Sequence, residues 1–163
     1  MEIRQAIQGD LDAILNIYGQ ARSFMRQQGN VQQWTNGYPQ KELVEADIQN
    51  KNCYVCVLGK EIVGVFCYFQ KPDPTYANIY EGSWLNDAPY GVIHRIAVNT
   101  HRKGIANACY DFALSKCPNL RIDTHHDNHP MQRSLAKYGF QRCGIIYLAN
   151  GDPRIAYQIA RNP

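Results

Sequence analysis

The residues best suited to chemistry in this sequence lie at positions 92–106, in the stretch VIHRIAVNTHRKGIA. An apolar run typical of a strand is followed by a basic patch and then by Gly104-Ile105-Ala106, where a helix is predicted to begin. Such a helix start presents unpaired backbone N–H groups and the positive end of the helix dipole. Arg102 and Lys103 add full charges there, while Gly104 and Ala106 leave room for close backbone approach. The segment is therefore predicted to cradle the phosphate groups of a ligand.

A second motif lies about thirty residues downstream, where a further helix is predicted. Asn128, two residues before a proline, is a typical helix start, and Gly139 is typical of the position after the last helical turn. Met131, Leu135 and Tyr138 form the predicted inward stripe of this helix. The two motifs therefore place a helix N-terminus after each of two predicted strands.

The two motifs together resemble the GNAT superfamily of acetyl-CoA-dependent N-acetyltransferases. Ala97-Val98 followed by Gly104-Ile105-Ala106 matches its acyl-CoA signature, and Asn128 followed by Gly139-Phe140 matches its second segment. His101 stands where that signature has Gln or Arg, although Arg102 follows immediately. The order of elements corresponds over about residues 2–159, and specific motifs lie only within residues 92–140.

The resemblance implies an α/β fold: a mixed, mostly antiparallel sheet of six to seven strands flanked by about four helices, in one domain over residues 1–163. It also implies acetyl transfer from acetyl-CoA, as cosubstrate, to the primary amine of a small molecule or of a peptide or protein N-terminus. The reaction would pass through a direct ternary complex without a covalent enzyme intermediate. The residues that the resemblance assigns to the CoA pantetheine and pyrophosphate are Ile96, Ala97, Val98, Arg102, Lys103, Gly104, Ile105, Ala106, Asn107 and Asn128.

His94 and Glu81 are the candidates for the general base. Some members of the superfamily present a histidine from the strand position of His94, and an imidazole titrates close to neutrality. His94 also continues the period-two row of Val92, Ile96 and Val98, so a hydrogen-bonded core residue is an equally weighted interpretation. Glu81, acting through a relayed water, is the alternative base.

The leaving-group acid departs from the superfamily pattern. Leu135 occupies the position of the usual Tyr, and Tyr138 emerges elsewhere because three residues turn a helix by ~300°. Tyr147 and Tyr157 of the last predicted hairpin are the replacements considered. A thiol of ordinary pKa near ~8.5 leaves without much help, so activity is compatible with this change. The alternative function is a non-catalytic acyl-CoA-binding regulatory module.

Aromatic residues outside the regular elements predict an acceptor pocket, because rigid aromatic loops often bind ligands. The alternative is that these rings only close the open side of a small sheet. The residues proposed for acceptor binding are Trp34, Tyr38, Tyr80, Trp84 and His125, with Tyr76 and Tyr90 as further aromatic candidates.

Metal binding is not predicted. The run THHDNH offers three imidazoles and a carboxylate, which could hold zinc. Neighbouring histidines at a strand end should point to opposite faces, however, and Pro130 prevents the helical spacing of a zinc-binding pair. Cys53 and Cys56 lack a second cysteine pair, which favours core packing.

The composition is that of a globular domain, with 45% hydrophobic and 19% charged residues in 163. No apolar run approaches the ~20 residues of a membrane span, and the N-terminus lacks a signal-peptide core, so a cytoplasmic location is predicted. The net charge of +3 is too small to indicate nucleic acid, and no membrane partner is expected. The cysteines are expected to be reduced core residues, and a homodimer is left open.

Strands and helices must position these side chains. Alternating hydrophobic residues predict the strands, and hydrophobic residues at helical spacing predict the helices. We predict strands at Glu2–Ala6, Cys53–Leu58, Glu61–Phe69, from Val92, at Leu120–Thr124, Cys143–Leu148 and Arg154–Ala160, and helices from Asp10, over about Gln40–Asn50, from Gly104 and from Asn128.

Overall fold

The fold was obtained as a computed structural model, which describes residues 1–99 and 101–161. A single sheet runs through the molecule, with helices on both of its faces. The strands are β1 (Glu2–Gln5), β2 (Cys53–Leu58), β3 (Glu61–Phe69), β4 (Gly91–Val98), β5 (Asn119–Thr124), β6 (Gln141–Tyr147) and β7 (Pro153–Ala160). The helices are α1 (Leu11–Gln27), α2 (Lys41–Gln49), α3 (Ile105–Lys116) and α4 (His129–Tyr138), with short 3-10 turns at Gln8–Asp10 and Pro74–Tyr76.

The sheet has seven strands in the order β1-β2-β3-β4-β5-β7-β6, and only the β4–β5 pair is parallel. This confirms the predicted mixed, mostly antiparallel architecture. The parallel ladder is short, since it joins only Gly91 to Leu120 and Val92 to Arg121. Beyond Val92 the two strands separate, and the sheet opens at its centre.

Each face of the sheet is covered because a helix buries an apolar stripe against it. On one face α1 buries Leu11, Ile14, Ile17 and Tyr18, whose spacing is typical of one apolar helix stripe. On the other face α3 and α4 pack through Cys109, Tyr110 and Leu135, while Met131 and Tyr138 are only partly buried. Tyr110 is fully buried.

The six cysteines are all buried free thiols, including Cys117 at the end of α3. This agrees with the prediction that they pack as small apolar residues. The longest helix, α1, has 17 residues. Within residues 1–99 and 101–161, no helix combines the length and the apolar character required to cross a membrane.

Candidate active site

A cavity of about 390 Å³ occupies the opening between β4 and β5, and we call it the central cavity. Side chains of both strands, of the α1–α2 connection, of the start of α4 and of the β6–β7 hairpin line it. Titratable side chains from separate elements line it, among them Asp73, His94, Asp123 and Arg154. Its volume lies in the range of small-molecule sites.

A second, smaller cavity of about 140 Å³ adjoins the first, and we call it the apolar channel. It runs between the end of β4, α1 and the start of α4, and its lining includes Ala97, Val98 and Ala106. Ile96 and Asn128 line both cavities. The two spaces therefore lie side by side between the start of α3 and the centre of the sheet.

A bulge in β4 shapes the wall between the two spaces. The β3–β4 register shifts between Val65 and Cys67, and Arg95 takes a left-handed φ of 51°. The Arg95 guanidinium binds Asp47 of α2 through two hydrogen bonds of 2.7 and 2.8 Å. The hydroxyl of Tyr18 donates to the Arg95 carbonyl at 2.8 Å. Both flanking helices therefore hold the bulge in place.

Because of the bulge, the prediction that Val92, His94, Ile96 and Val98 lie on one face of β4 is wrong. Val92 packs against Tyr76 and Ile146 on one face, whereas Ile96 joins the core under α3 and α4 on the other face. An inserted residue exchanges the faces of everything that follows it. His94 therefore does not share a core row with Ile96, and its side chain lines the central cavity.

His94 forms an ion-pair geometry with Asp73, a residue that sequence reasoning missed. Its Nε2 lies 2.7 Å from Asp73 Oδ2, and the two side chains are 27% and 17% exposed. Burial opposes ionisation of Asp73, but hydrogen bonds from His94 and Thr75 outweigh it and lower the Asp73 pKa to about 2. Asp73 is thus an ionised acceptor near neutral pH, so the shared hydrogen belongs to His94 Nε2.

A local signal for Asp73 exists in the sequence Asp-Pro-Thr. An Asp before a Pro is typical of the first turn of a helix, and Asp73 caps the 3-10 turn at Pro74–Tyr76. Its Oδ1 accepts hydrogen bonds from the backbone N and the hydroxyl of Thr75, at 2.9 and 2.7 Å. The cap fixes one carboxylate oxygen and leaves Oδ2 directed at His94.

The phosphate cradle predicted from sequence has the required backbone geometry. Gly104 precedes α3 with a left-handed φ of 85°, a conformation that favours glycine. The first bond into the helix runs from Ala108 N to Gly104 O at 3.1 Å, so the N–H groups of the three intervening residues point out of the helix end. Arg102 forms an exposed ion pair with Glu61 at 3.1 Å, and Lys103 is exposed.

Asn128 begins α4, as predicted, and lies at the junction of the two cavities. Its Oδ1 accepts from Met131 N at 3.1 Å, and its Nδ2 donates to Gln33 Oε1 at 3.0 Å. Gln33 belongs to the α1–α2 connection, which Arg26 secures by donating to the carbonyls of Asn30, Gln33 and Trp34. This buried network, which sequence reasoning missed, holds Trp34 at the central cavity, where Tyr38 also lies.

Four other predicted residues, Glu81, Tyr80, Trp84 and His125, are not brought to the central cavity. Glu81 is exposed, with a φ of 56°, beside the isolated bridge from Tyr80 to β6. Tyr80 is 51% exposed and packs edge-on against Tyr147. The Arg121 guanidinium lies over the rings of both Trp84 and Tyr90, at 4.2 and 4.0 Å from the ring centroids. These aromatic side chains do not line the central cavity.

The proposed leaving-group tyrosines also lie outside the two cavities. Tyr157 is a core residue, Tyr147 is 44% exposed, and Leu135 is fully buried. The hydroxyl that does line the apolar channel is that of Ser134. It hydrogen-bonds the Tyr110 hydroxyl at 3.0 Å, and burial raises the Tyr110 pKa to about 12.

The prediction made for the orientation of His125 and His126 is wrong. Their rings stack with centroids 4.3 Å apart instead of pointing to opposite faces, because β5 ends at Thr124 and strand alternation ends with it. His125 Nδ1 accepts from Asp127 N at 3.0 Å, and burial, followed by the charges of Arg154 and His126, lowers the His125 pKa. Ligand atoms of these two histidines and Asp127 lie within 4.8 Å of one another. The expected absence of a metal stays a prediction.

Comparison with known proteins agrees with this geometry. The family model described as the acetyltransferase (GNAT) family matches residues 11–140. The crystal structure of a GNAT-family acetyltransferase from Streptococcus agalactiae is similar, with a TM-score of 0.88 and 31% identity over 99% of this chain and 96% of that chain.

More distant structures share the fold. A GNAT-family acetyltransferase from Listeria monocytogenes has a TM-score of 0.69 and 20% identity over 96% of this chain and 92% of that chain. A ribosomal-protein-alanine N-acetyltransferase from Brucella melitensis has a TM-score of 0.63 and 17% identity over 99% of this chain and 100% of that chain. No curated protein sequence matches the chain.

Proposed function

Because this chain belongs to the GNAT acetyltransferase family, we propose that it transfers the acetyl group of acetyl-CoA to a primary amine in a direct ternary complex. The observation that carries the proposal is the His94–Asp73 pair on the central cavity, which shares wall residues with the apolar channel beside the start of α3. The amine belongs to a small molecule or to a peptide or protein N-terminus.

The thioester substrate is assigned to the path between the two ends. The outward N–H groups at the start of α3, with Arg102 and Lys103, suit the pyrophosphate. The apolar channel suits the pantetheine arm, whose amides can pair with the edge of β4 over Ile96, Ala97 and Val98 where β5 has separated. Ile105, Ala106, Asn107 and Asn128 complete the CoA-binding set proposed from the resemblance.

His94 is assigned as the general base. Since Nε2 donates its hydrogen to Asp73, Nδ1 is the ring nitrogen that can accept the amine proton. The ionised Asp73 carboxylate then stabilises the imidazolium, and it fixes the ring orientation throughout. As the amine nitrogen bonds to the carbonyl carbon, the carbon–sulfur bond breaks and the thiolate departs.

The Ser134 hydroxyl is assigned as a hydrogen-bond donor to the departing thiolate, which needs no strong acid because a thiol of ordinary pKa near ~8.5 can leave as the anion and take its proton from solvent. It lies on the apolar channel one residue before Leu135, where the superfamily pattern has its Tyr, and Tyr110 supports it from within the core. Glu81 is the less supported base, because its exposed side chain does not line the central cavity.

A non-catalytic acyl-CoA-binding module is the second candidate function, favoured by the complete burial of Leu135. Acetyl-CoA incubated with a library of primary amines distinguishes the two candidates. We expect free thiol to appear together with one amine that gains the mass of an acetyl group. Acetyl-CoA binding without thiol release for any amine would favour the regulatory module.

A further inference from the structure

Arg154, at the start of β7, is a buried cation on the wall of the central cavity that the proposed reaction does not use. The residue is 8% exposed. Its one hydrogen bond within the described part of the chain runs from Nη1 to the carbonyl of the preceding residue, Pro153, at 2.9 Å. No carboxylate among residues 1–99 and 101–161 lies within ion-pair distance of its guanidinium. A buried guanidinium without an anion is costly unless a ligand supplies one.

Arg95, the other arginine at the central cavity, provides the contrast. Its guanidinium is satisfied by two bonds to Asp47, so it has no need of an anionic ligand. Burial lowers the Arg154 pKa, although the more distant carboxylates of Asp123 and Asp152 partly offset this effect. The positive charge of Arg154 is therefore incompletely compensated by the protein itself.

A second unsatisfied polar group lies on the same cavity. The Thr124 hydroxyl at the end of β5 is buried, the residue being 1% exposed, and Oγ1 has no hydrogen-bond partner in the described structure. Thr124 is paired in register with Ile155, the residue that follows Arg154. Buried hydroxyl groups are normally hydrogen-bonded, so this is a second polar group beside the cavity that the described residues leave without a partner.

Negative charge lies on other parts of the cavity wall. Asp123 Oδ2 accepts from Tyr76 at 2.6 Å, while Oδ1 has no partner among the described residues. Asp73 is ionised beside His94. The cavity thus offers carboxylates that attract an ammonium group and, at Arg154, a cation that attracts an anion.

Resting on the proposed acetyl transfer, we infer that the acceptor is a small aminocarboxylate, whose carboxylate binds the Arg154 guanidinium and whose amine lies toward Asp123 and His94. A guanidinium matches the planar geometry of a carboxylate through paired hydrogen bonds. A single positive charge flanked at longer range by Asp123 and Asp152 suits a monoanion better than a phosphate dianion. Arg154 is therefore a specificity-determining residue.

The test compares amino acids with their carboxamides, which keep the amine and lose the negative charge. The series contains the common α-amino acids and the ω-amino acids from glycine to aminohexanoate, so that several amine-to-carboxylate distances are covered. We expect at least one amino acid to show a kcat/KM about tenfold or more above that of its carboxamide, the size expected for a hydrogen-bonded charge. Arg154→Gln should reduce that ratio to near one and leave the KM for acetyl-CoA unchanged.

Two further variants make the test specific to this position. Arg142→Gln removes the same charge from an exposed site on the neighbouring strand β6 and should keep the wild-type ratio. Arg154→Lys keeps the charge and should retain part of the preference, which preserves the test if Arg154→Gln fails to fold.

The outcomes separate this inference from the proposed function. Equal acetylation of amino acids and carboxamides by the wild type would overturn the inference while acetyl transfer stands. Turnover of other primary amines but of neither class would also overturn the inference, whereas turnover of no primary amine would contradict acetyl transfer itself. In that case calorimetry decides the inference: it is supported if an amino acid binds the wild type and not Arg154→Gln, and overturned if none binds.

Discussion

Replacing Asp47 by asparagine should lower the stability of the protein strongly, because it removes the anion that holds the Arg95 bulge. The Arg95 and Asp47 side chains are 13% and 7% exposed, and the guanidinium donates two bonds of 2.7 and 2.8 Å. Removing one partner of such a pair leaves an uncompensated buried charge, which costs about 3–5 kcal/mol. For a chain of 163 residues, 1 kcal/mol corresponds to roughly 2–4 °C in Tm, so we expect a fall of about 6–20 °C.

Thermal unfolding followed by circular dichroism measures this effect. Glu42→Gln, on the exposed side of the same helix, removes the same charge and should change Tm by no more than about 2 °C. The double variant Asp47→Asn with Arg95→Gln should recover part of the loss, since it leaves no ion buried alone.

The bulge also positions the edge of β4, so Asp47→Asn should raise the KM for acetyl-CoA in samples kept well below Tm. A Tm for Asp47→Asn equal to that of Glu42→Gln would refute the argument. So would a double variant that loses the sum of the two single losses, because independent side chains would then explain the data without an ion pair.

Three further predictions concern the cradle and the cavity. Gly104→Ala should weaken CoA binding measured by calorimetry. The control Gly151→Ala meets the same left-handed strain, at a φ of 90° in an exposed turn, and should leave CoA affinity unchanged. Equal CoA affinities of the two variants would contradict the cradle. Neutralising Arg102 and Lys103 together should weaken the binding of CoA much more than the binding of pantetheine. Neutralising the exposed Arg133 and Lys137 should not produce this difference. Equal losses of affinity for both ligands would contradict phosphate binding by Arg102 and Lys103. The lowered Asp73 pKa, about 2 against an ordinary 3.8, means that its contribution to stability is complete above about pH 4 and is lost as pH falls through 2. In denaturant titrations, the free energy of unfolding of the wild type should therefore fall by up to about 2 kcal/mol more than that of Asp73→Asn as the pH is lowered through this range. The exposed control Asp12→Asn should lose as much as the wild type. Parallel pH profiles for Asp73→Asn and the wild type would contradict the assignment.

Local sequence patterns were sufficient to predict most of the helices and strands. β2 and β3 have the predicted bounds, because a Gly-Lys turn separates two β-type runs. Gly104 and Asn128 mark the starts of α3 and α4, since glycine before a helix and asparagine at an N-cap satisfy needs that involve only neighbouring residues. The proposed CoA-binding side of the site follows from these two positions.

The acceptor side depends on contacts between distant segments and could not be predicted in the same way. The bulge at Arg95 is stabilised by Asp47, 48 positions earlier in the chain, and it reverses the face assigned to Ile96. The partner of His94 is a loop residue, Asp73, whose local pattern predicts only a turn. Aromatic composition alone did not separate Trp34, which lines the central cavity, from Trp84, which packs on Arg121.

The measurement that tests the central claim most directly is the turnover of His94→Ala, with Tm and acetyl-CoA affinity determined on the same sample. If His94 accepts the amine proton, kcat should fall by ~10²-fold or more, while acetyl-CoA affinity stays at the wild-type value and the fall in Tm is too small to account for the lost rate. The acid limb of the pH–rate profile should disappear as well. Near-normal turnover, or a loss of rate matched by a loss of folded protein, would contradict the assignment of His94 as the base.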